Sequence, residues 1–312
     1  MSIMILVTGG AGFIGSNLAK FLISKGYEVT VFDNLSSGRM ENLAQILERD
    51  NFRFIKGDIR ESEAINSAMR GAEEVFHLAA DPSVKDSATN PVGSFRINVE
   101  GMFNVLEAAR KNDVKKIVFT STSTVYGEAE KLPTPEDYPL IPISNYAASK
   151  VADEAYISSY ASTYGIKGVV LRLANIFGSP STHGVMFDFY NKLTANPERL
   201  EILGNGKQCK SYLYISDCID ALILAAKKQK KIFDFFNAGS KEMKDVNYIA
   251  NSMCSFLNLK PKFKYTGGAR GWKGDVTKML LSTKKIEKLG WRMKVSLKDG
   301  IGKYVEWLKA TQ

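Results

Sequence analysis

The chain has 312 residues, 45% of them hydrophobic and 24% charged, with a formal net charge of +9. That composition is globular and long enough for two modest domains, and no apolar run approaches a membrane span. Three cysteines without motif spacing (Cys209, Cys218, Cys254) and only two histidines (His77, His183) argue against a disulfide framework and a His/Cys metal site.

In chain order, "SIMILVTG" is a short apolar run ending in glycines, and "FIGSNLAKFLISKG" has helical periodicity that stops at Gly26. "YEVTVFDN", "FRFIKGD", "EEVFHLAA" and "VKKIVFTSTS" read as further strands, separated by helical segments such as "GSFRINVEGMFNVLEAARKN". The alternation predicts a parallel sheet covered on both faces, with ligands at the carboxyl ends of its strands. "PTPEDYPLIPISN" holds four prolines and breaks the helical pattern, which resumes through "YAASKVADEAYISSYASTYG". Beyond Leu173, "VMFDFYNKLTAN", "CIDALILAAKKQKK", "DVNYIANSMCSFLN" and "LKDGIGKYVEWLKAT" read as helices and "KSYLYIS" as a strand. The expected fold is α/β: a Rossmann-type doubly wound parallel sheet over residues 1–174, rejoined by parts of 208–240, with a smaller α+β substrate-binding domain over 175–312. From Lys241 onward there are sixteen basic and six acidic residues. They are dispersed and accompany no nucleic-acid motif, so they read as a solvated surface or an attractor of a small anion. Neither nucleic acid nor a membrane is expected as partner. The short, uncharged "MSIMILVTGG" lacks the basic region of a signal peptide, so a cytoplasmic location is expected.

Two constellations carry chemistry. Gly9, Gly12 and Gly15 lie between the first strand and the first helix, where glycine permits a tight turn and close approach of a pyrophosphate to the helix N-terminus. Asp33 ends the second strand about 20 residues on, where a carboxylate accepts from a ribose hydroxyl and repels a 2′-phosphate. NAD is therefore expected over NADP, with Arg39 nearby as a complication. Tyr146 and Lys150 are spaced by four at the start of a helix and share a face. A phenol is a poor base at neutral pH, and a neighbouring ammonium favours its phenolate.

"TGGAGFIGSNL", "DNLSSG", "GDIR", "HLAA", "NVEGMFNVLEAA", "TSTSTVYG", "YAASK" and "LGW" occur in order. Together they resemble the extended short-chain dehydrogenase/reductase family, and within it the UDP-glucose 4-epimerases and their nucleotide-sugar relatives. The resemblance spans nearly the whole chain. It implies Tyr146, Lys150 and Thr122 as catalytic residues, with Ser123 as the alternative to Thr122 should the register differ by one. It implies a cofactor site made of Gly9, Gly12, Phe13, Ile14, Gly15, Asp33, Asn34, Ser36, Gly38, Asp58, Ile59, Leu78, Ala79, Ala80, Asn98, Ser121, Tyr146 and Lys150. Substrate contacts are implied for Thr122, Tyr146, Asn175, Val185, Lys210, Arg270 and Asp275; Lys210 stands where the family usually has Arg. The implied reaction is oxidation at the sugar C4, rotation of a 4-keto sugar and re-reduction on its other face, with NAD retained. Sugar 4,6-dehydratases of the family carry an Asp-Glu pair just after the threonine; Ser123 and Thr124 follow here. UDP-glucose/galactose leads as substrate, then UDP-N-acetylhexosamine, then a uronic acid. Met279 stands at a position where an aromatic is associated with excluding an N-acetyl group. A net oxidoreductase and a non-catalytic NAD sensor are the competing readings. The family resemblance also implies a homodimer built on a helix bundle that includes the Tyr146 helix.

Overall fold

The computed structural model describes residues 3–271 and 276–311. The first half runs β1 (Met4–Thr8), α1 (Phe13–Ser24), β2 (Glu28–Asp33), β3 (Phe52–Lys56), α2 (Ser62–Ala68), β4 (Glu74–His77), α3 (Val84–Thr89), α4 (Pro91–Phe95), α5 (Gly101–Lys111), β5 (Lys116–Thr122), α6 (Asn145–Tyr164) and β6 (Lys167–Leu173). The rest runs β7 (Asn175–Phe177), α7 (Val185–Ala195), β8 (Arg199–Ile202), β9 (Cys209–Lys210), β10 (Tyr212–Tyr214), α8 (Ile215–Lys228), β11 (Phe233–Ala238), β12 (Lys244–Asp245), α9 (Val246–Leu257), β13 (Lys262–Tyr265), β14 (Lys278–Met279), α10 (Lys284–Lys288) and α11 (Leu297–Thr311).

Seven strands form one parallel sheet in the order β11-β6-β5-β4-β1-β2-β3. The order reverses between β1 and β4, which opens a crevice at their carboxyl ends. Alternation along the strands sends Val7, Val31, Val118 and Val169 to one face, against α1 and α8. Leu6, Val75, Phe119 and Val170 go to the other, against α2, α5 and α6. Near-continuous apolar strands are what two covered faces require. Beyond the carboxyl edge, α7, α9 and α11 enclose a separate core that includes Phe189, Met253 and Tyr304. Three short sheets, β12-β9-β14, β10-β7 and β13-β8, lie among the described elements beyond β6.

Helix α6 matters most for function. Its N-cap is Ser144, whose hydroxyl accepts from Ala147 N at 3.1 Å, and it ends at Gly165 in a left-handed conformation (φ 74°). Ser87 anchors its first turn: the Ser87 hydroxyl accepts from Tyr146 N at 3.1 Å and the Ser87 carbonyl accepts from Asn145 Nδ2 at 2.8 Å. Opposite it, residues Arg96–Glu100 form a π-helical turn between α4 and α5. Such single-turn insertions re-aim side chains and recur at functional sites. No helix among the described residues is long and apolar enough to cross a membrane.

Candidate active site

The glycine loop closes on itself and on the loop after β4. Gly12 N donates to Gly9 O at 3.1 Å, and a Cβ on Gly15 would lie 2.2 Å from Gly9 O. A Cβ on Gly9, whose φ is 70°, would lie 2.6 Å from Ala79 N. The backbone of Leu78–Ala79 therefore forms the facing wall, and Ala80 continues it. Helix α1 opens at Gly12 with no side-chain cap. Its first N–H groups, at Phe13, Ile14 and Gly15, have no intrahelical partner and carry the positive end of the helix dipole. Asp33 is buried and ties this loop to the next. Its Oδ2 accepts from Ala11 N at 3.0 Å and its Oδ1 from Leu35 N at 2.8 Å, with Gly38 packed beside it. Asn34 accepts from Ser36 N at 2.9 Å and donates to Asp58 at 2.8 Å. Asp58 also takes a two-pronged contact from Arg60, and Ile59 is buried against Gly101. A side-chain-free cradle, an uncapped helix start and a buried acid at the next strand end are the features a dinucleotide requires, and they fit NAD.

Thr122, at the end of β5, and Tyr146 and Lys150, on α6, converge at the mouth of this groove. The Thr122 hydroxyl neighbours the Tyr146 phenol and favours its ionised form; its own hydrogen bonds run to Thr124, accepting from Thr124 N at 3.2 Å and meeting Thr124 Oγ1 at 3.1 Å. Lys150 is 2% exposed, donates to Thr120 O at 3.2 Å, and holds its ammonium 5.9 Å from the Tyr146 ring centroid. Burial pushes the phenol above its ordinary range. The neighbouring Thr122 opposes that shift, and the charges of Asp153 and Asp81 add to it. In the chain without its cofactor, desolvation is the largest influence on this phenol. Burial also pushes the Lys150 ammonium down, with Asp153 and Glu154 opposing.

Asn98, on the π turn, is buried. Its Oδ1 accepts from Asp81 N at 2.8 Å, and its amide donates to Asp81 O (3.2 Å) and Ser149 Oγ (3.0 Å). Ser149 Oγ in turn donates to Tyr146 O at 2.7 Å. Asn98 thus braces α6 against the loop after β4. Ser121 behaves otherwise. Its hydroxyl donates to Glu154 Oε1 at 2.5 Å, which turns it into a buried ion pair instead of toward the groove. His77 stacks on Phe119 and meets the Thr8 hydroxyl at 2.7 Å; burial and Lys150 push it down to about 3, so it is a packed neutral residue.

Sequence reasoning did not find the Glu154–Arg172 pair. Arg172 Nη2 lies 2.6 Å from Glu154 Oε2, both side chains are 4–5% exposed, and Nη1 donates to Tyr126 Oη at 2.8 Å and Glu136 O at 2.9 Å. An arginine alone in the apolar run "VVLRLA" was the available signal, because a buried guanidinium demands a buried acid.

The residues expected to hold substrate are more dispersed. Asn175 starts β7, and its amide donates to Ser211 O at 3.2 Å. Val185 opens α7 behind Gly184, where no side chain caps the helix. Lys210 lies on β9 directly beside Met279 of β14, which is 8% exposed. Arg270 is exposed and pairs with Glu128 at 2.8 Å, on the segment that follows the Thr122 turn. Asp275 lies outside the described residues.

Residues 5–239 match the family model described as the NAD dependent epimerase/dehydratase family. The UDP-glucose 4-epimerase of Mycolicibacterium smegmatis is 35% identical over 311 residues, covering 97% of this chain and 98% of its own. The crystal structure of Thermus thermophilus UDP-glucose 4-epimerase in complex with NAD is 34% identical with a TM-score of 0.90, over 99% of this chain and 100% of that one. UDP-N-acetylglucosamine 4-epimerase from Methanobrevibacter ruminantium, solved with UDP-N-acetylmuramic acid, is 29% identical with a TM-score of 0.90, over 100% of each chain. With a cradle that fits the cofactor and relatives matched along their whole length, the chain belongs to the NAD dependent epimerase/dehydratase family and is an NAD-using nucleotide-sugar epimerase of the UDP-glucose 4-epimerase kind.

Proposed function

We propose that the chain interconverts UDP-glucose and UDP-galactose by inversion at C4, with Thr122, Tyr146 and Lys150 as its catalytic residues. The observation that carries the reading is the juxtaposition of Thr122 and Tyr146 with the buried Lys150 ammonium, 5.9 Å from the phenol ring, at a strand end where Ser123 and Thr124, not acids, follow the threonine. Elimination across C5 and C6 needs a further acid and base there; removing one proton at O4 needs only the Tyr146 phenolate, and returning it only the phenol so formed.

Bound NAD supplies acceptance and return of the C4 hydride. Tyr146 Oη takes the proton of the C4 hydroxyl and gives it back, and Thr122 Oγ1 orients that hydroxyl by bonding both oxygens. Lys150 stabilises the phenolate and offers its remaining protons to the nicotinamide ribose. Gly9, Gly12, Phe13, Ile14 and Gly15 hold the pyrophosphate, Asp33, Asn34, Ser36 and Gly38 the adenosine ribose, and Asp58 and Ile59 the adenine. Leu78, Ala79 and Ala80 line the groove, and Asn98 and Ser121 act on it through α6 and β5. Asn175, Val185, Lys210, Arg270 and Asp275 hold the nucleotide, so that the sugar can present each face in turn.

The relative named for UDP-N-acetylglucosamine supports a second reading, in which the N-acetyl sugars are substrates. Met279 favours it to a degree, since an unbranched thioether yields space that an aromatic ring would not. Purified protein given UDP-galactose without added NAD, and followed by NMR, is expected to form UDP-glucose. Conversion of UDP-N-acetylgalactosamine alone would select the second reading.

We read the assembly as a homodimer. Val92, Phe95, Phe103, Tyr156 and Tyr164 are each 41–60% exposed on α4, α5 and α6, an aromatic concentration that supports burial against a second copy.

A further inference from the structure

Helix α6 carries Tyr146, Lys150 and Asp153 at successive spacings of four and three, so the three side chains share one face. Asp153 is 1% exposed, and its Oδ1 is buried without a hydrogen-bond partner among the described residues. An ionisable oxygen in that state costs stability and calls for an explanation. The next residue, Glu154, shows what a structural acid looks like here. Its carboxylate is taken up by Arg172 through both oxygens and by the Ser121 hydroxyl. Asp153 has no such commitment and acts through space on two groups. It attracts the Lys150 ammonium, and it opposes ionisation of Tyr146.

We propose that Asp153 is a positioning residue that sets the alkaline limit of the catalytic pair, by keeping the proton on Lys150. The proposal rests on the reading of Tyr146 and Lys150 as that pair. Several groups face this cluster. On α6 they are Tyr146, Lys150 and Glu154; Glu154 is paired with Arg172 of β6 and adds a smaller attraction on Lys150 than Asp153 does. From β4 comes His77, which is uncharged, and from the loop after it Asp81, whose charge acts on Tyr146. From β5 comes Thr122, and from the π turn Asn98; neither titrates.

The direction follows from the environment. Burial pushes the Asp153 carboxyl up to about 7, against the attraction of Lys150. Above that pH Asp153 is ionised and raises the affinity of Lys150 for its proton. Burial alone would strip that proton at lower pH. Below it Asp153 is already neutral, and an uncharged isostere changes little.

The test is the pH profile of kcat for the purified protein and for Asp153→Asn. The variant's alkaline limb is expected to fall about one pH unit earlier, a loss of about tenfold on the limb, and the two profiles are expected to converge below about pH 7. Asp153→Glu should restore the limb. A uniform fall at all pH values, or no displacement, would overturn the proposal and leave Asp153 a packing residue. A second readout does not depend on turnover. The 13C-carboxyl resonance of Asp153, assigned by its loss in D153N, should titrate near neutrality and move to higher pH in Lys150→Met. Titration in the ordinary carboxylate range would overturn the proposal. The two layers separate cleanly: full turnover by Tyr146→Phe overturns the catalytic reading and this proposal with it, whereas an undisplaced D153N profile beside an inactive Tyr146→Phe overturns this proposal alone.

Discussion

Tyr146 sits where burial and the charges of Asp153 and Asp81 disfavour its ionised form, while Thr122 favours it. Such a phenol stays protonated until a cationic ring arrives beside it, which protects the site from idle ionisation. Asp153 adds a stability cost to that arrangement. Its folded carboxyl titrates near 7, above the ordinary 3.8, so the folded state binds this proton more tightly than the unfolded one. A group raised in this way contributes stability below the ordinary value and loses it as pH rises through about 7. Asp153→Asn is therefore expected to be the more stable protein at alkaline pH, by up to about 4 kcal/mol, and to match the parent when acidic. Denaturant unfolding at the two extremes measures the difference; a less stable variant at alkaline pH would contradict the linkage.

At the scale of elements, α6 is held as a rigid carrier. Ser144 and Ser87 fix its start, Asn98 reaches it through Ser149, and Glu154 bolts it to β6 through Arg172. Arg172 also joins Tyr126, whose hydroxyl donates to Asn237 on β11 at 2.8 Å. Arg172→Met leaves Glu154 buried without its cation and is expected to cost about 3–5 kcal/mol of unfolding free energy, read from the denaturation midpoint. Much of this frame was open to a reader of the sequence. The glycine loop, Asp33 and the Tyr146–Lys150 spacing are local patterns, each defined by a strand or a helix and its end. The bolts were not, because Glu154 and Arg172 lie 18 residues apart on different elements and meet only once the helix has packed on the sheet. For the same reason the side chain of Ser121 could be assigned to β5 but not aimed. β11 escaped as a strand because "FDFFNA" reads as well for any short apolar turn of chain.

For the whole molecule, the exposed aromatic face on α4, α5 and α6 gathers Phe95, Phe103 and Tyr156 around one open pocket that Arg60 also lines. A charge introduced there, as in Phe103→Glu, is expected to halve the mass seen by light scattering and leave the nucleotide groove intact. A mass unchanged by the substitution would rule out this face as the seam. The sheet has its own seam in time. Its edge partner for β6 is β11, contributed by residues 233–238, and β11 pairs with β6 along its whole length. A ribosome must add about sixty residues after β6 before that partner exists, a matter of seconds at ordinary elongation rates. During that interval the nascent chain presents β6 as an open, strongly apolar edge, the kind of template that recruits other chains. The enzyme's vulnerability in a crowded cell is thus greatest midway through synthesis, and a chaperone that shields one strand for a few seconds would be enough to remove it.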